Sequence, residues 1–174
     1  MKLQEEPRAA RSGRHSELVG LLFREGSGER SEAFVVEAPL RICPLGAHVD
    51  HQGGVVTGMA VDRQVVLAAV PRSDATIRVR SLDFPGAISL DLSQEIAGRS
   101  GEWGDYVRAA VSVLAQKYPL RFGFEGVIAG DLPSAGLSSS AAVLIAYLFA
   151  LVRVNKLEVS REETSELVQD AENS

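Results

Sequence analysis

A single cysteine, Cys43, leaves this 174-residue chain without an internal disulfide or an all-cysteine metal cluster. Long apolar runs are also missing. The longest, Ala141–Val152, falls short of the ~18–20 residues that a membrane span needs. There is no basic excess: the net charge is −5, and the surplus acid sits in residues 158–172, where Glu158, Glu162, Glu163, Glu166, Asp170 and Glu172 face one Arg161. The rest of the chain is balanced, so no positive field is present to hold nucleic acid or anionic lipid. Lys2, Arg8, Arg11 and Arg14 are not followed by the apolar segment of a secretory signal, and Glu5, Glu6 and Glu17 argue against a transit peptide. A cytoplasmic protein is the expectation. The absence of any Gly-Lys pair excludes a Walker A loop, and the absence of Gly-x-Ser-x-Gly excludes a serine-hydrolase elbow.

What is present is ordinary globular material, 45% hydrophobic and 24% charged, which argues against disorder. A chain of this length buries roughly 70% of its unfolded surface, enough for a real core. Ser16–Phe23 has the spacing of a short helix within a mixed lead-in, residues 1–32, taken as partly flexible. Residues 34–46 start apolar and pass through Pro39 and Pro44, which disfavours a helix and predicts an extended, irregular path. Val55–Met59 and Gln64–Val70 are β-branched and read as strands, as do Ile77–Arg80, Ile88–Leu92 and Gly123–Gly130. Trp103, Tyr106, Val107, Ala110, Val111 and Leu114 recur at helical spacing, and Pro119 ends that helix. Ala141–Val152, apolar all round, predicts a buried helix. Ser160 and Glu163 form a capping-box pattern that starts a last helix near Arg161. Strands and helices do not alternate regularly, so the expected class is α+β.

Two segments carry chemistry. Leu132-Pro-Ser-Ala-Gly-Leu-Ser-Ser-Ser140 is a loop of small residues feeding a helix start. Free backbone N–H groups and the helix dipole favour an anion there, and three successive hydroxyls can donate to phosphate or ligate Mg²⁺. The plainer alternative is that Ser138–Ser140 only cap a buried helix. The second segment, Arg41-Ile-Cys-Pro-Leu-Gly-Ala-His48-Val-Asp50-His51-Gln-Gly53-Gly54, places polar groups between apolar strands. A metal site of His48, Asp50 and His51 has no standard spacing, and a structural turn is the simpler reading.

Together these segments resemble the galactokinase branch of the GHMP kinases. Pro39-Leu-Arg41-Ile-Cys-Pro-Leu-Gly46-Ala47-His48-Val-Asp50 follows the register of that branch's signature, and Leu132–Ala142 follows the superfamily's ATP-phosphate loop. Trp103-Gly-Asp-Tyr106-Val resembles the segment lining the adenine site, and Ala171-Glu172-Asn-Ser174 the stretch with a Mg²⁺-ligating Glu. The resemblance covers roughly residues 37–174, in the family's order. It implies a GHMP-kinase N-terminal domain (ribosomal protein S5 domain 2-like) over residues 33–174, a mixed sheet with helices packed on one side. It also implies ATP and Mg²⁺ as cofactors and a small-molecule sugar as substrate. Arg41 then lies near the transferring phosphoryl group, where a fixed guanidinium stabilises developing charge. Ala47, His48 and Asp50 fall at the sugar, Trp103 and Tyr106 at the adenine. Ser134, Ala135, Gly136, Leu137, Ser138, Ser139 and Ser140 form the phosphate cradle, with Ser138 and Glu172 as Mg²⁺ ligands.

One departure bears on the substrate. In galactokinases the position of Ala47 is a Glu that contacts the C6 hydroxyl. Against a C6 carboxylate that Glu would be a like charge, repelling by ~4 kcal/mol at about 4 Å and an effective dielectric of ~20. Ala removes the repulsion and opens space, as in the galacturonokinase subgroup, so D-galacturonic acid phosphorylated at C1 is the expected substrate. The alternatives are galactose, or a non-catalytic regulator that binds sugar and ATP. The family's catalytic Asp lies beyond the Mg²⁺-binding Glu, and no Asp here occupies that motif. The expectation is therefore a domain incomplete at its C-terminal end, lacking the C-terminal domain and inactive alone.

Overall fold

The computed structural model describes residues 8–25, 30–46, 53–96, 98–131 and 139–173. Helix α1 (Arg8–Glu25) and a 3-10 turn (Arg30–Glu32) precede strand β1 (Phe34–Ile42). Strands β2 (Met59–Pro71), β3 (Thr76–Ser81) and β4 (Ala87–Asp91) follow, then helix α2 (Asp105–Lys117), strand β5 (Phe124–Gly130), and helices α3 (Ser139–Val154) and α4 (Arg161–Asn173). The five strands form one mixed sheet in the order β1-β2-β5-β3-β4, antiparallel except for the β3–β5 pair. The α+β class and mixed sheet match the sequence reading.

The layering follows from the two-residue period of β2. Val65, Leu67 and Ala69 join the main core with residues of α2, α3 and α4, such as Val107, Leu114, Leu144, Leu148 and Leu167. The alternate residues Val66, Ala68 and Val70 form a second core with Val127 and Ala129 of β5 and with Leu18 and Leu22 of α1. So three helices share one face as expected, while α1, grown from the lead-in, packs on the other. A strand buried on both faces explains why Val65–Val70 is an unbroken apolar run rather than an alternating one.

Four local differences separate the structure from these expectations. The helix expected over Ser16–Phe23 extends across Arg8–Glu25. The two strands expected over Val55–Met59 and Gln64–Val70 are one strand beginning at Met59, with residues 53–58 irregular and exposed. Asp62 and Arg63 interrupt the apolar pattern without interrupting the strand, because that stretch is only partly covered. The residues around Pro39 are a regular edge strand whose register shifts between Pro39 and Arg41, as a residue with no N–H to donate permits at an edge. In α4, Ser160 Oγ accepts from Glu163 N at 3.1 Å, but the Glu163 carboxylate turns away to accept from the Tyr118 hydroxyl at 2.9 Å. Among the described residues no helix is long and apolar enough to cross a membrane.

Candidate active site

The mouth of the sheet, where β5 ends and α3 begins, opens into two adjoining cavities that share Phe84, Trp103, Tyr106 and Ser140. The first is floored by Val65, Ile128, Gly130 and Tyr147 and reaches Ser139. The second, of about 630 Å³, extends past Arg99 and Asp105 to Ala171 and Glu172. One side is therefore aromatic, and the other is a helix start bearing two hydroxyls.

The aromatic wall is built by the loop before α2. The Asp105 carboxylate accepts from Ser100 N at 3.0 Å and Gly101 N at 2.7 Å, and from Arg108 Nη1 at 2.7 Å. Hydrogen bonding, led by the Ser100 N–H, holds its pKa down at about 2. The loop thus closes on a carboxylate that stays charged across the physiological range. Gly104 is buried where a Cβ would lie 2.5 Å from Ile88 Cδ1, so the backbone between Trp103 and Asp105 fits tightly against β4. Trp103 is fixed from its far end, its indole N–H donating to Pro85 O at 3.2 Å. Tyr106 and Phe84 remain 39% and 47% exposed, leaving apolar ring surface facing the cavities.

Opposite this wall, Ser139 and Ser140 sit in the first turn of α3, which has no acidic residue to compete with an anion. Ser140 Oγ donates to Glu172 Oε1 at 2.7 Å, and Arg99 Nη2 donates to the Glu172 backbone carbonyl at 2.9 Å. The acidic segment 158–172 thus runs into α4, which delivers a carboxylate to the cavity. Its donor set is all oxygen, which suits Mg²⁺. Among the described residues no group of three or more His, Cys, Asp or Glu gathers to hold a metal. One carboxylate, with hydroxyls and the oxygens of a bound phosphate, is a usual environment for that cation.

Of the expected site residues, Trp103, Tyr106, Ser139, Ser140 and Glu172 come together around these cavities. Arg41 does not line them; it lies at the end of β1, its aliphatic stem against Gly58, where a Cβ would be 3.5 Å from Arg41 Cδ. Ala47, His48, Asp50 and His51, and Ser134, Ala135, Gly136, Leu137 and Ser138, lie outside the described residues. The segment entering the first group is held: Thr57 N donates to Leu45 O at 3.0 Å, and Leu45 N to Thr57 Oγ1 at 3.1 Å. Gly46 has φ +84°, and a Cβ there would be 2.6 Å from Val55 O, so this position admits only glycine without strain. Phe84, Arg99 and Asp83, whose carboxylate accepts from Gly130 N at 2.7 Å, escaped the sequence reading. They sit in loops without periodicity, and only the fold brings them to the cleft.

The cleft thus sets an aromatic wall against a hydroxyl-lined helix start, in a chain without a Walker A sequence. Two family models match: the galactokinase galactose-binding signature over residues 22–71, and the GHMP kinase N-terminal domain over residues 105–174. The chain is 40% identical to a galacturonokinase of Arabidopsis thaliana across 83% of its own length and 39% of that relative. It is 37% identical to a galactokinase of Chloroflexus aggregans, across 80% of this chain and 36% of the relative. The structure superposes on Lactococcus lactis galactokinase, solved in complex with galactose, with a TM-score of 0.82 at 30% identity, covering 94% of this chain and 42% of the other. The chain belongs to the GHMP kinase superfamily, in its galactokinase branch. It spans about two fifths of the length of the relatives it matches, which are named as sugar kinases.

Proposed function

We propose that this chain provides the sugar- and ATP-binding part of a sugar-1-kinase that phosphorylates the anomeric hydroxyl of D-galacturonic acid. The observation that carries the substrate is Ala47, in place of the Glu that would repel a C6 carboxylate, and the 40% identity to a galacturonokinase supports it. When bound, ATP supplies the phosphoryl group and Mg²⁺ shields its charge. In this reading Trp103 and Tyr106 flank the adenine. Ser134, Ala135, Gly136, Leu137, Ser138, Ser139 and Ser140 cradle the phosphates through N–H and hydroxyl donors, and Ser138 and Glu172 hold the cation. Arg41 stabilises negative charge at the transfer and favours the ionised hydroxyl, while His48 and Asp50 orient the sugar. Catalysis is then mostly positioning and charge neutralisation.

A kinase assay on the complete gene product, with galacturonate and galactose in parallel, tests the reading. The expected result is a higher kcat/KM for galacturonate, shifting toward galactose in Ala47→Glu. Better turnover of galactose by the unaltered protein would favour the second reading, a galactokinase, which the likeness to the galactose-bound Lactococcus lactis enzyme supports. Calorimetric binding of sugar and nucleotide without turnover would favour a regulator.

A further inference from the structure

We propose that α1 belongs to the framework of the nucleotide site, and that its Arg14 is a positioning residue that, through Asp131, sets the end of β5 where Gly130 borders the cavity beside Ser139 and Ser140. The inference rests on the nucleotide reading of the cleft given above.

At the end of β5 stands the dipeptide Gly130-Asp131, nearly every polar group of which is held. The β2–β5 ladder ends at the Val65–Gly130 pair, but Asp131 N donates onward to Gln64 O at 3.0 Å, and Gln64 N donates back to Asp131 Oδ2 at 2.7 Å. The other carboxylate oxygen pairs with Arg14 Nη1, and Arg14 Nη2 donates to Gly130 O at 2.9 Å. Gly130 N donates to Asp83. The fork of Arg14 thus grips a side chain and a main-chain carbonyl at once, a two-point contact that a single ammonium does not reproduce.

Side-chain alternation gives this grip its consequence. Val127 and Ala129 face α1, and Asp131 continues that face, whereas Ile128 and Gly130 line the cavity with Ser139 and Ser140. One dipeptide is therefore held by α1 from behind and borders the proposed phosphate site in front. The Asp131 side chain is only 12% exposed. Left unpaired, its charge would stand beside a site meant for a polyphosphate, so Arg14 both orients and neutralises it. Arg14 is presented by a docked helix: Leu18 and Leu22 are buried, His15 pairs with Glu37, and Arg80 Nη2 donates to Leu21 O at 3.0 Å. It also lies before residues 22–71 and 105–174, outside both matched family segments.

Titration calorimetry on the full chain, with adenosine and with magnesium AMPPNP, tests this. The readout is the ratio of the two dissociation constants, which isolates what the phosphates contribute. Arg14→Met should weaken AMPPNP about tenfold and leave adenosine within about twofold, the scale at which a remote residue couples to a site. Arg14→Lys should recover part of the loss, as should Asp131→Asn added to Arg14→Met, because it removes the orphaned charge. Ser160→Ala, which removes a helix cap remote from α1 and Asp131, should lower Tm and leave the ratio unchanged. A wild-type ratio in both Arg14→Met and Arg14→Lys overturns the proposal, and if Arg14→Met does not fold, a wild-type ratio in Arg14→Lys alone overturns it. A wild-type chain that binds neither ligand would instead overturn the nucleotide reading itself, a result distinct from nucleotide binding that ignores Arg14.

Discussion

Replacing Gly104 by Ala should change sign with its neighbour. Gly104 has φ −67° and ψ −13°, a helical conformation that alanine adopts without strain. On backbone grounds alone the substitution should stabilise by about 0.4–1 kcal/mol, through the smaller freedom of the unfolded chain. The structure opposes this. The new Cβ would stand 2.5 Å from Ile88 Cδ1 and 2.8 Å from Ile88 Cγ1, against the roughly 3.5–4.0 Å of a relaxed carbon contact. The third neighbour, Arg108 Nη1 at 3.3 Å, is a flexible tip and yields easily. Ile88 is packed against the core and cannot rotate freely, so overpacking of about 1–3 kcal/mol is expected. The net is a loss of about 1–2 kcal/mol in the wild-type background. In an Ile88→Ala background both offending atoms are gone, and the same Gly104→Ala change should stabilise by about 0.4–1 kcal/mol. Urea unfolding followed by the fluorescence of Trp103, the sole tryptophan, measures all four proteins. Equal effects of Gly104→Ala in the two backgrounds, within about 0.5 kcal/mol, would refute the claim that Ile88 sets the fit of this loop.

Three further outcomes are expected. The Asp105 carboxylate has a folded pKa of about 2, below its unfolded value, so its contribution to stability is complete above about pH 4 and is lost as pH falls toward 2. Asp105→Asn should flatten part of that acid transition, leaving the share of Asp74, whose pKa Arg72 also lowers. Ser160→Ala removes the cap on Glu163 N and should cost about 1 kcal/mol in urea unfolding without affecting ligand binding. Trp103→Ala should weaken adenosine binding in calorimetry by about 1–3 kcal/mol if its ring stacks on the base, and unchanged affinity would remove it from the adenine site.

Much of the architecture was legible because local pattern and tertiary demand agree. The helical spacing from Trp103 to Leu114 becomes α2, with Val107, Ala110, Val111 and Leu114 all buried. The run Ala141–Val152 becomes most of α3, and only Phe149 on its outer side is half exposed. The second face of the sheet was not legible. Helix α1 is polar along most of its length and is anchored by Leu18 and Leu22, which read equally well as a short, isolated helix. Its polar ties join residues more than a hundred positions apart, such as Arg14 and Asp131, and no local rule pairs them. The candidate site was legible as separate pieces. The hydrogen bond from Ser140 to Glu172 spans 32 residues, and Phe84 has no pattern around it. Residues 47–50 and 134–138 remain a reading of sequence alone.

The strand order bears on how the domain forms. β5 comes latest in sequence of the described strands yet lies between β2 and β3, joining the β1–β2 pair to the β3–β4 pair. Until Phe124–Gly130 has left the ribosome, the two pairs have no strand to join them, and each presents an open edge of unpaired N–H and C=O groups. Insertion of β5 closes both edges in one event, antiparallel to β2 and parallel to β3. Such late, long-range pairing slows folding relative to hairpins alone. Gly130 at the end of this strand borders the cavity beside Ser139 and Ser140, so the cleft acquires its floor only when the sheet is completed.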